Sequence, residues 1–390
     1  MKRVRLGDIA TVITKGTTPT TLGYNFVDDG VNFVKIESIT ENGEFLTDKF
    51  AHITDECDRK LSRSQLQRND LLFSIAGAIG RTAIVTEDIL PANTNQALAI
   101  IRVPEGVVDY SYLKYVLQSP DVVEQFEKKK QGVAQLNISL KDIGDFVIPL
   151  RTTEEQKTVV DTMDKVTELI ALRKEQLAKL DQLVKSGFIE LFGDPNLNDK
   201  GWLMGVINDI GACVAGATPG TQVKEYWENG TIPWMSSGEV NKGRVFETDT
   251  KITQLGYDNA STKLVPPKTV VLAMAGQGRT RGTAAITEIE LCTNQSICSI
   301  VNNEKVHAEY LLYFLKLQYM ELRGASTNTD GRGGLNLKII GNYPIMIPPM
   351  ALQEQFAAFV EQTDKLKLAI QQSLDKLELL KKSLMQEYFG

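Results

Sequence analysis

Histidine and cysteine are scarce in this chain of 390 residues, which has two of the first and four of the second. Cys57, Cys213, Cys292 and Cys298 show no CxxC spacing and His52 and His307 stand far apart, so the closely spaced Cys or His ligands of a zinc site are lacking and none is expected. With two histidines there is also no Ser/His/Asp relay to assemble, and surface roles are expected for both. A reducing cytoplasm fits this cysteine usage. No apolar run approaches the ~20 residues that a bilayer span requires. The basic start, Met1 to Leu6, has no apolar stretch behind it, so no export signal is expected. Positive charge is in short supply too. Lys+Arg number 43 against Asp+Glu 49, a net charge of −6. A nucleic-acid binder that works through a global basic field is therefore disfavoured, and any DNA affinity must come from local patches or from partner subunits.

Catalytic loops are missing as well. An adenine methyltransferase needs an Asp/Asn-Pro-Pro-Tyr/Phe loop for the flipped base and a glycine loop for its cofactor. Asp194-Pro195-Asn196 lacks the second proline, and Asn342-Tyr343-Pro344 has the wrong order. Gly276-Gln277-Gly278 with Gly282 misplaces its third glycine and lies between expected strands, so these read as turn glycines. Pro120-Asp121 with Glu127-Lys128-Lys129 imitates a nuclease signature, but both carboxylates fall in one helical run and do not converge on a metal.

What the chain does have is a repeat, at an offset of about 200 residues. "DIATVITKGTTP" (Asp8 to Pro19) is answered by "DIGACVAGATP" (Asp209 to Pro219), and "LLFSIAGAIG" (Leu71 to Gly80) by "VVLAMAGQG" (Val270 to Gly278). Thr94-Asn95-Gln96 is answered by Thr293-Asn294-Gln295, and "KSGFIELFG" (Lys185 to Gly193) by "KSLMQEYFG" (Lys382 to Gly390). "QLNISLKDIGDFVIPLRTTEEQ" (Gln135 to Gln156) and "GLNLKIIGNYPIMIPPMALQEQ" (Gly334 to Gln355) stand just before the two longest helical patterns.

Each copy has two parts, giving domains at 1–150, 151–196, 197–348 and 349–390. The first part of each mixes short apolar runs with Gly, Pro and Asn turns. Strands are predicted at Val31–Ile36, Leu71–Ala76, Ala97–Arg102 and Phe146–Ile148, and at the matching places around Trp234, Val270–Ala275, Ser296–Val301 and Pro344–Ile347. Short helices are predicted at Tyr112–Gln118 and Tyr310–Leu317. The second part is a long amphipathic helix. In the first copy Met163, Ile170, Leu177, Val184 and Leu191 fall seven apart, with Val159, Val166 and Leu180 on a companion seam. In the second copy Phe356, Ile370, Leu377 and Leu384 form one seam, and Phe359, Leu366 and Leu380 the other, with Arg173, Thr363 and Ser373 as interruptions. Thr153 and Gln156 fit a capping box, and Gly193-Asp194-Pro195 is a stop. The expected fold is α+β: two β-rich domains joined by two long antiparallel helices that form a coiled-coil spacer, with an internal pseudo-two-fold repeat.

Two related domains at fixed spacing suit the reading of two half-sites on one DNA duplex. Their frames match while polar residues differ: Lys35-Ile36-Glu37-Ser38 stands opposite Met235-Ser236-Ser237-Gly238. In this order of parts the chain resembles the specificity subunits of type I restriction–modification systems. The resemblance covers the whole chain and is carried by Gly16-Thr17-Thr18-Pro19 and Gly216-Ala217-Thr218-Pro219, the segments through Gly77 and Gly276, the Asn-Gln pairs, "GVAQLNIS" (Gly132 to Ser139), and the "IPL" and "IPP" runs before Glu155-Gln156 and Glu354-Gln355. The second copy departs from it at Gly333-Gly334-Leu335-Asn336, with no glutamine before the leucine. The resemblance implies a non-catalytic subunit with two target-recognition domains. It would hold two methyltransferase subunits, and in a larger complex two restriction subunits, on a bipartite double-stranded DNA site. S-adenosylmethionine, ATP and magnesium would belong to those partners, and no membrane is involved.

Base edges are read by Arg, Lys, Asn and Gln, and phosphates by basic groups, Ser, Thr and backbone amides. The candidates in the first domain are Lys15, Thr17, Thr18, Lys35, Arg59, Lys60, Arg63, Arg81, Gln135 and Asn137. Those in the second are Thr218, Ser236, Ser237, Lys263, Arg279, Arg281 and Arg332, with Arg279-Thr280-Arg281 in a glycine-rich loop foremost. Lys128-Lys129-Lys130 reads as a solvated helix end. A scaffold gripping protein or carbohydrate ligands would share this architecture, and salt dependence separates the two, since DNA affinity falls as counterions compete.

Overall fold

Leu71 to Phe73 and Val270 to Ala273 are apolar on both alternating faces, and in the structure both faces are buried. Each run is the centre of one of two compact units, residues 1–174 with 372–390, and residues 175–371. The structure is a computed structural model that describes residues 2–128, 137–276, 278–325 and 334–390. Helices α1 (Tyr110–Leu117), α2 (Thr153–Phe192), α3 (Ala308–Leu317) and α4 (Met350–Phe389) frame both units. α2 and α4 are each 40 residues, about 60 Å at ~1.5 Å per residue, and each passes from one unit into the other.

Strands of the first unit are β1 (Lys2–Arg5), β2 (Val12–Lys15), β3 (Val31–Val34), β4 (Ala51–Ile53), β5 (Leu71–Ser74), β6 (Thr82–Ile84), β7 (Ala92–Thr94), β8 (Leu98–Arg102) and β9 (Val147–Leu150). They form the sheets β1-β9, β2-β8-β5-β6 and β4-β3-β7, in which β3 and β7 run parallel. The second unit has β10 (Leu203–Val206), β11 (Gly211–Ala215), β12 (Ile232–Met235), β13 (Arg244–Val245), β14 (Thr250–Ile252), β15 (Val270–Ala273), β16 (Ala284–Thr287), β17 (Cys292–Thr293), β18 (Ile297–Asn302) and β19 (Pro344–Ile347). Its sheets repeat the same orders, β10-β19, β11-β18-β15-β16 and β14-β12-β17, with β13 added to the edge of β16. The duplication in sequence is thus a duplication of topology.

In the first unit Leu71 and Phe73 pack toward α1 and the long helices, while Leu72 faces Val34, Ala83 and Ile100 on the other side. Val270 and Leu272 face the helices in the second unit, and Val271 and Ala273 face Met235 and Val245. The helix pair closes each core. Val159 and Met163 of α2 and Met385 and Phe389 of α4 join the first, and Val184, Phe188, Phe192, Phe356 and Val360 join the second. Within each unit the two helices run antiparallel. Arg151 bonds the carbonyl of Tyr388 and Lys174 pairs with Glu378 in the first, and Lys367 pairs with Asp181 at 2.6 Å in the second.

The α2 seam is buried at Met163, Val166, Ile170 and Val184, and half-buried at Leu177 and Leu180. On α4 Phe356 is buried, and Phe359, Ile370, Leu377 and Leu384 are half-buried, but the expected companion seam is wrong at Leu366 and Leu380, which are 57% and 45% exposed. The inward positions there are one residue later: Val360, Lys367, Leu374 and Lys381. Two of these are lysines that lay their methylene stems inward, so a count of apolar residues assigns the seam to the leucines beside them. Residues read as interruptions are seam members: Thr363 is buried and donates to the Phe359 carbonyl, and Arg173 Nε donates to Ser373 Oγ at 3.2 Å.

The capping box also moves by one residue. Thr152 Oγ1 accepts from Glu155 N at 3.3 Å while Glu155 Oε2 accepts from Thr152 N at 2.9 Å, which leaves Gln156 for another task. Gln156 is buried; its Oε1 accepts from Asp109 N at 2.7 Å and its Nε2 donates to the Arg151 carbonyl at 2.9 Å. Gln353, not Gln355, is its counterpart. Its Oε1 accepts from His307 N at 2.8 Å and its Nε2 donates to the Pro348 carbonyl at 2.7 Å, while Gln355 is exposed. Asp109 and His307 in turn cap α1 and α3. One glutamine per copy therefore ties the start of a long helix to the start of a short one. Replacing Gln353 with alanine leaves a buried donor and acceptor without partners and is expected to cost about 2–4 kcal/mol. Urea unfolding of Gln353→Ala beside Gln355→Ala checks it, with the second unchanged.

Candidate nucleic-acid interface

Strand register gathers the C-terminal ends of β2, β3, β5 and β7 at one edge of the first unit. Lys15 lies opposite Ala99, Ser74 opposite Leu98, and Val34 beside Thr94. At that edge the Gly16 amide donates to the Asn95 carbonyl at 3.1 Å, Thr18 Oγ1 donates to Gln96 Oε1, and Thr94 Oγ1 donates to the Val34 carbonyl at 2.8 Å. A β-carbon on Gly16 would lie 1.8 Å from the Thr94 carbonyl oxygen, so only glycine lets the loop press so closely. Asn137 bridges Ala76, and Ile138 N donates to the Ile75 carbonyl at 3.1 Å. Lys35 follows β3 and sets its ammonium 4.3 Å from the Phe26 ring centroid. Lys15, Thr17, Thr18, Lys35 and Asn137 thus come to one polar edge together with Gln96, which is exposed and which sequence reasoning placed in a motif but not among the contacts.

Other candidates lie elsewhere or face inward. Arg81 donates to the carbonyls of Ile36 at 3.3 Å and Ile39 at 2.7 Å, holding the turn Ile36–Ser38. Arg59, Lys60 and Arg63 are exposed on the helix Asp55–Lys60 and the turn after it, which anchor through Cys57 and Leu61 to Phe33. Gln135 and Arg332 lie outside the described residues.

The second unit rebuilds the same edge from different side chains. A β-carbon on Gly216 would lie 1.7 Å from the Thr293 carbonyl oxygen, and Thr218 Oγ1 donates to Gln295 Oε1 at 2.5 Å. Trp234 Nε1 holds the loop from below through the Ala217 carbonyl at 3.0 Å. Ser236 caps the turn Ser237–Lys242 with Glu239, whose carboxylate is buried and paired with Lys242. Lys263 is exposed next to Thr262, which donates to the Thr293 carbonyl at 3.1 Å. Arg279 is exposed and Arg281 half-buried, in a loop braced by Tyr319 and Arg323 of the helix Tyr319–Ala325. Those two residues escaped the sequence reading because their partners are backbone carbonyls, which leave no trace in composition.

Among the described residues no group of three or more His, Cys, Asp or Glu is placed to hold a metal ion. No described helix is long and apolar enough to cross a membrane. The long helices keep an apolar outer surface: Leu169, Leu172, Leu379 and Leu380 in the first unit, and Leu183, Ile189, Leu366 and Leu368 in the second, are all at least 40% exposed.

Residues 1–182 and 199–379 each match the type I restriction modification DNA specificity domain, and each match runs from a β-rich domain into a long helix. The chain belongs to that family. This specificity chain is 30% identical over 172 residues to the EcoBI type I restriction enzyme specificity subunit of Escherichia coli, a match covering 43% of this chain and 35% of that subunit. It is 24% identical over 327 residues to the MjaIX specificity subunit of Methanocaldococcus jannaschii, covering 80% of this chain and 74% of the other. A chain solved in a study of complex assembly and conformational transition of the type I R-M system shares its fold, with a TM-score of 0.63 at 18% identity over 99% of this chain and 96% of that one.

Proposed function

We propose that the specificity chain is the non-catalytic DNA-recognition subunit of a type I restriction–modification complex, each unit reading one half of a bipartite double-stranded site. The observation that carries this is the doubled polar edge. Gly16, Thr18 and Gln96 recur as Gly216, Thr218 and Gln295, and the recurring backbone presents different side chains, Lys35 in one and Ser236 with Arg279 in the other. A common frame with unlike readers suits two unlike half-sites. α2 and α4, which pass from one unit to the other, would then set the number of base pairs between half-sites. Two methyltransferase subunits, and restriction subunits beyond them, would supply S-adenosylmethionine, ATP and magnesium chemistry. The exposed leucines of the long helices support such partners, since apolar surface of this kind is buried in stable assemblies. With a net charge of −6 the partners would also contribute to DNA affinity.

A genome-wide map of methylated adenines, with and without the gene, tests the proposal. Loss of one two-part motif with a fixed gap is expected; an unchanged map, with the methyltransferase subunits expressed, favours a ligand-binding scaffold instead. Replacing Arg279 and Arg281 together with alanine is expected to relax one half of that motif by about 1–3 kcal/mol of discrimination per lost bidentate contact, leaving the other half as before. A variant with both halves unchanged removes the loop from the interface.

A further inference from the structure

The loop that carries Arg279 is held by its carbonyls. Arg323 Nη1 donates to the Gly278 carbonyl at 2.6 Å and to that of Arg281 at 3.3 Å, and Tyr319 Oη donates to the Arg279 carbonyl at 3.1 Å. The two clamp residues are themselves joined, Arg323 Nη1 to Tyr319 Oη at 2.9 Å, with the guanidinium 5.4 Å from the Tyr319 ring centroid. Thr283 Oγ1 adds a further bond to the Arg279 carbonyl at 2.6 Å. Gly276, Gly278 and Gly282 have φ of +132°, +61° and +85°, so the backbone turns through conformations that other residues adopt at a cost. A loop so rich in glycine has many alternatives; capture of three carbonyls by one helix selects one of them. The Arg279 side chain is left exposed.

The first unit solves the same junction differently. Both loops close on their own backbone, Gly80 N donating to the Ser74 carbonyl at 3.0 Å and Gly282 N to the Ala273 carbonyl at 2.9 Å. But where Arg323 and Tyr319 face Gly282, the helix Pro120–Glu127 presents the Phe126 ring to Gly80. Arg81 there points away to Ile36 and Ile39. The carbonyl clamp therefore belongs to the second unit's mode of reading. We infer that Tyr319 and Arg323 are positioning residues for DNA recognition: they fix the loop 278–282 so that Arg279 meets one half-site in a single geometry. The inference rests on the reading of this chain as a DNA-recognition subunit. Its physical basis is preorganisation, because a reader already held in its bound shape spends less of its contact energy on ordering. The donors of a guanidinium are fixed in one plane, whereas an ammonium turns freely on a flexible stem.

The experiment uses the full complex with its methyltransferase subunits and duplexes carrying single-base changes in either half-site. Methylation rates are compared for Arg323→Ala, Arg323→Lys, Tyr319→Phe and Arg279→Ala, with thermal unfolding alongside. Arg323→Ala and Arg323→Lys are each expected to lower discrimination at one half-site about tenfold and Tyr319→Phe about threefold. The other half-site and the unfolding temperature stay as in the parent, and Arg279→Ala loosens the same half-site. If Arg279→Ala loosens one half-site while the Arg323 and Tyr319 variants match the parent, the clamp is overturned and the recognition reading stands. If no variant changes either half-site, the clamp falls together with this loop's role in recognition. Loosening of both half-sites with a lowered unfolding temperature makes Arg323 a structural residue and overturns the proposal, and Tyr319→Phe, which removes one hydroxyl, decides the matter if Arg323→Ala does not fold.

Discussion

Gly16→Ala is expected to abolish reading of one half-site, with at least about a hundredfold loss of affinity there, and to leave the other half-site untouched. The reason is space. The new methyl would lie 1.8 Å from the Thr94 oxygen, 2.3 Å from its carbonyl carbon and 2.8 Å from the Asn95 nitrogen, all backbone atoms. They cannot give way, because Thr94 ends β7, which is hydrogen-bonded along β3, and its hydroxyl is bonded to the Val34 carbonyl. The loop must lift instead, which breaks the Gly16–Asn95 bond and separates Thr18 from Gln96, the pair at the centre of the polar edge. Gly216→Ala is the reciprocal test, since its methyl would meet the Thr293 oxygen at 1.7 Å. The two variants are expected to lose opposite half-sites in a binding assay on duplexes with one half randomised. Loss of the same half-site from both, or of neither, contradicts the assignment of one edge to each half.

Much of this fold was legible because repetition and heptad spacing are properties of the chain itself. The repeat of Gly-Thr-Pro loops, Thr-Asn-Gln turns and long helices required no tertiary information, and the α2 seam at Met163, Val166, Ile170 and Val184 followed from apolar spacing alone. The α4 seam did not, because Lys367 and Lys381 take positions that a periodicity count gives to Leu366 and Leu380. A lysine stem is apolar while its label is not. Gln353 was passed over for Gln355 for a related reason: which glutamine is buried depends on where His307 and Pro348 lie. The site was legible as a set of motifs and opaque as a set of roles. Arg81 and Arg279 look alike in sequence, and only the fold turns one toward the carbonyls of Ile36 and Ile39 and leaves the other exposed.

The composition of the units is the least local feature, and it yields the second large effect. Residues 372–390 belong with 1–174, so the last side chains of the sequence complete the first core. Phe389 is fully buried there, 5.5 Å from the Tyr112 ring in an edge contact, and Phe192 holds the same place in the second core, 4.8 Å from Tyr310 and 5.5 Å from Phe356. Phe389→Ala removes a ring from a packed interior and is expected to cost about 3–5 kcal/mol. In a unit of this size that corresponds to a fall of roughly 10 °C in its unfolding temperature. The damage should fall on the unit that begins the chain: protease cleavage on partial heating should start within residues 1–174, and the half-site assigned to that unit should be lost first. Phe192→Ala should do the reverse, exposing residues 197–348 although it lies at the end of the helix that follows the first domain. If each variant instead weakens the domain just before it in sequence, the helix ends are not shared between repeats as described. Two recognition domains that each depend on the far end of the other's helix cannot be separated by cutting the chain between them.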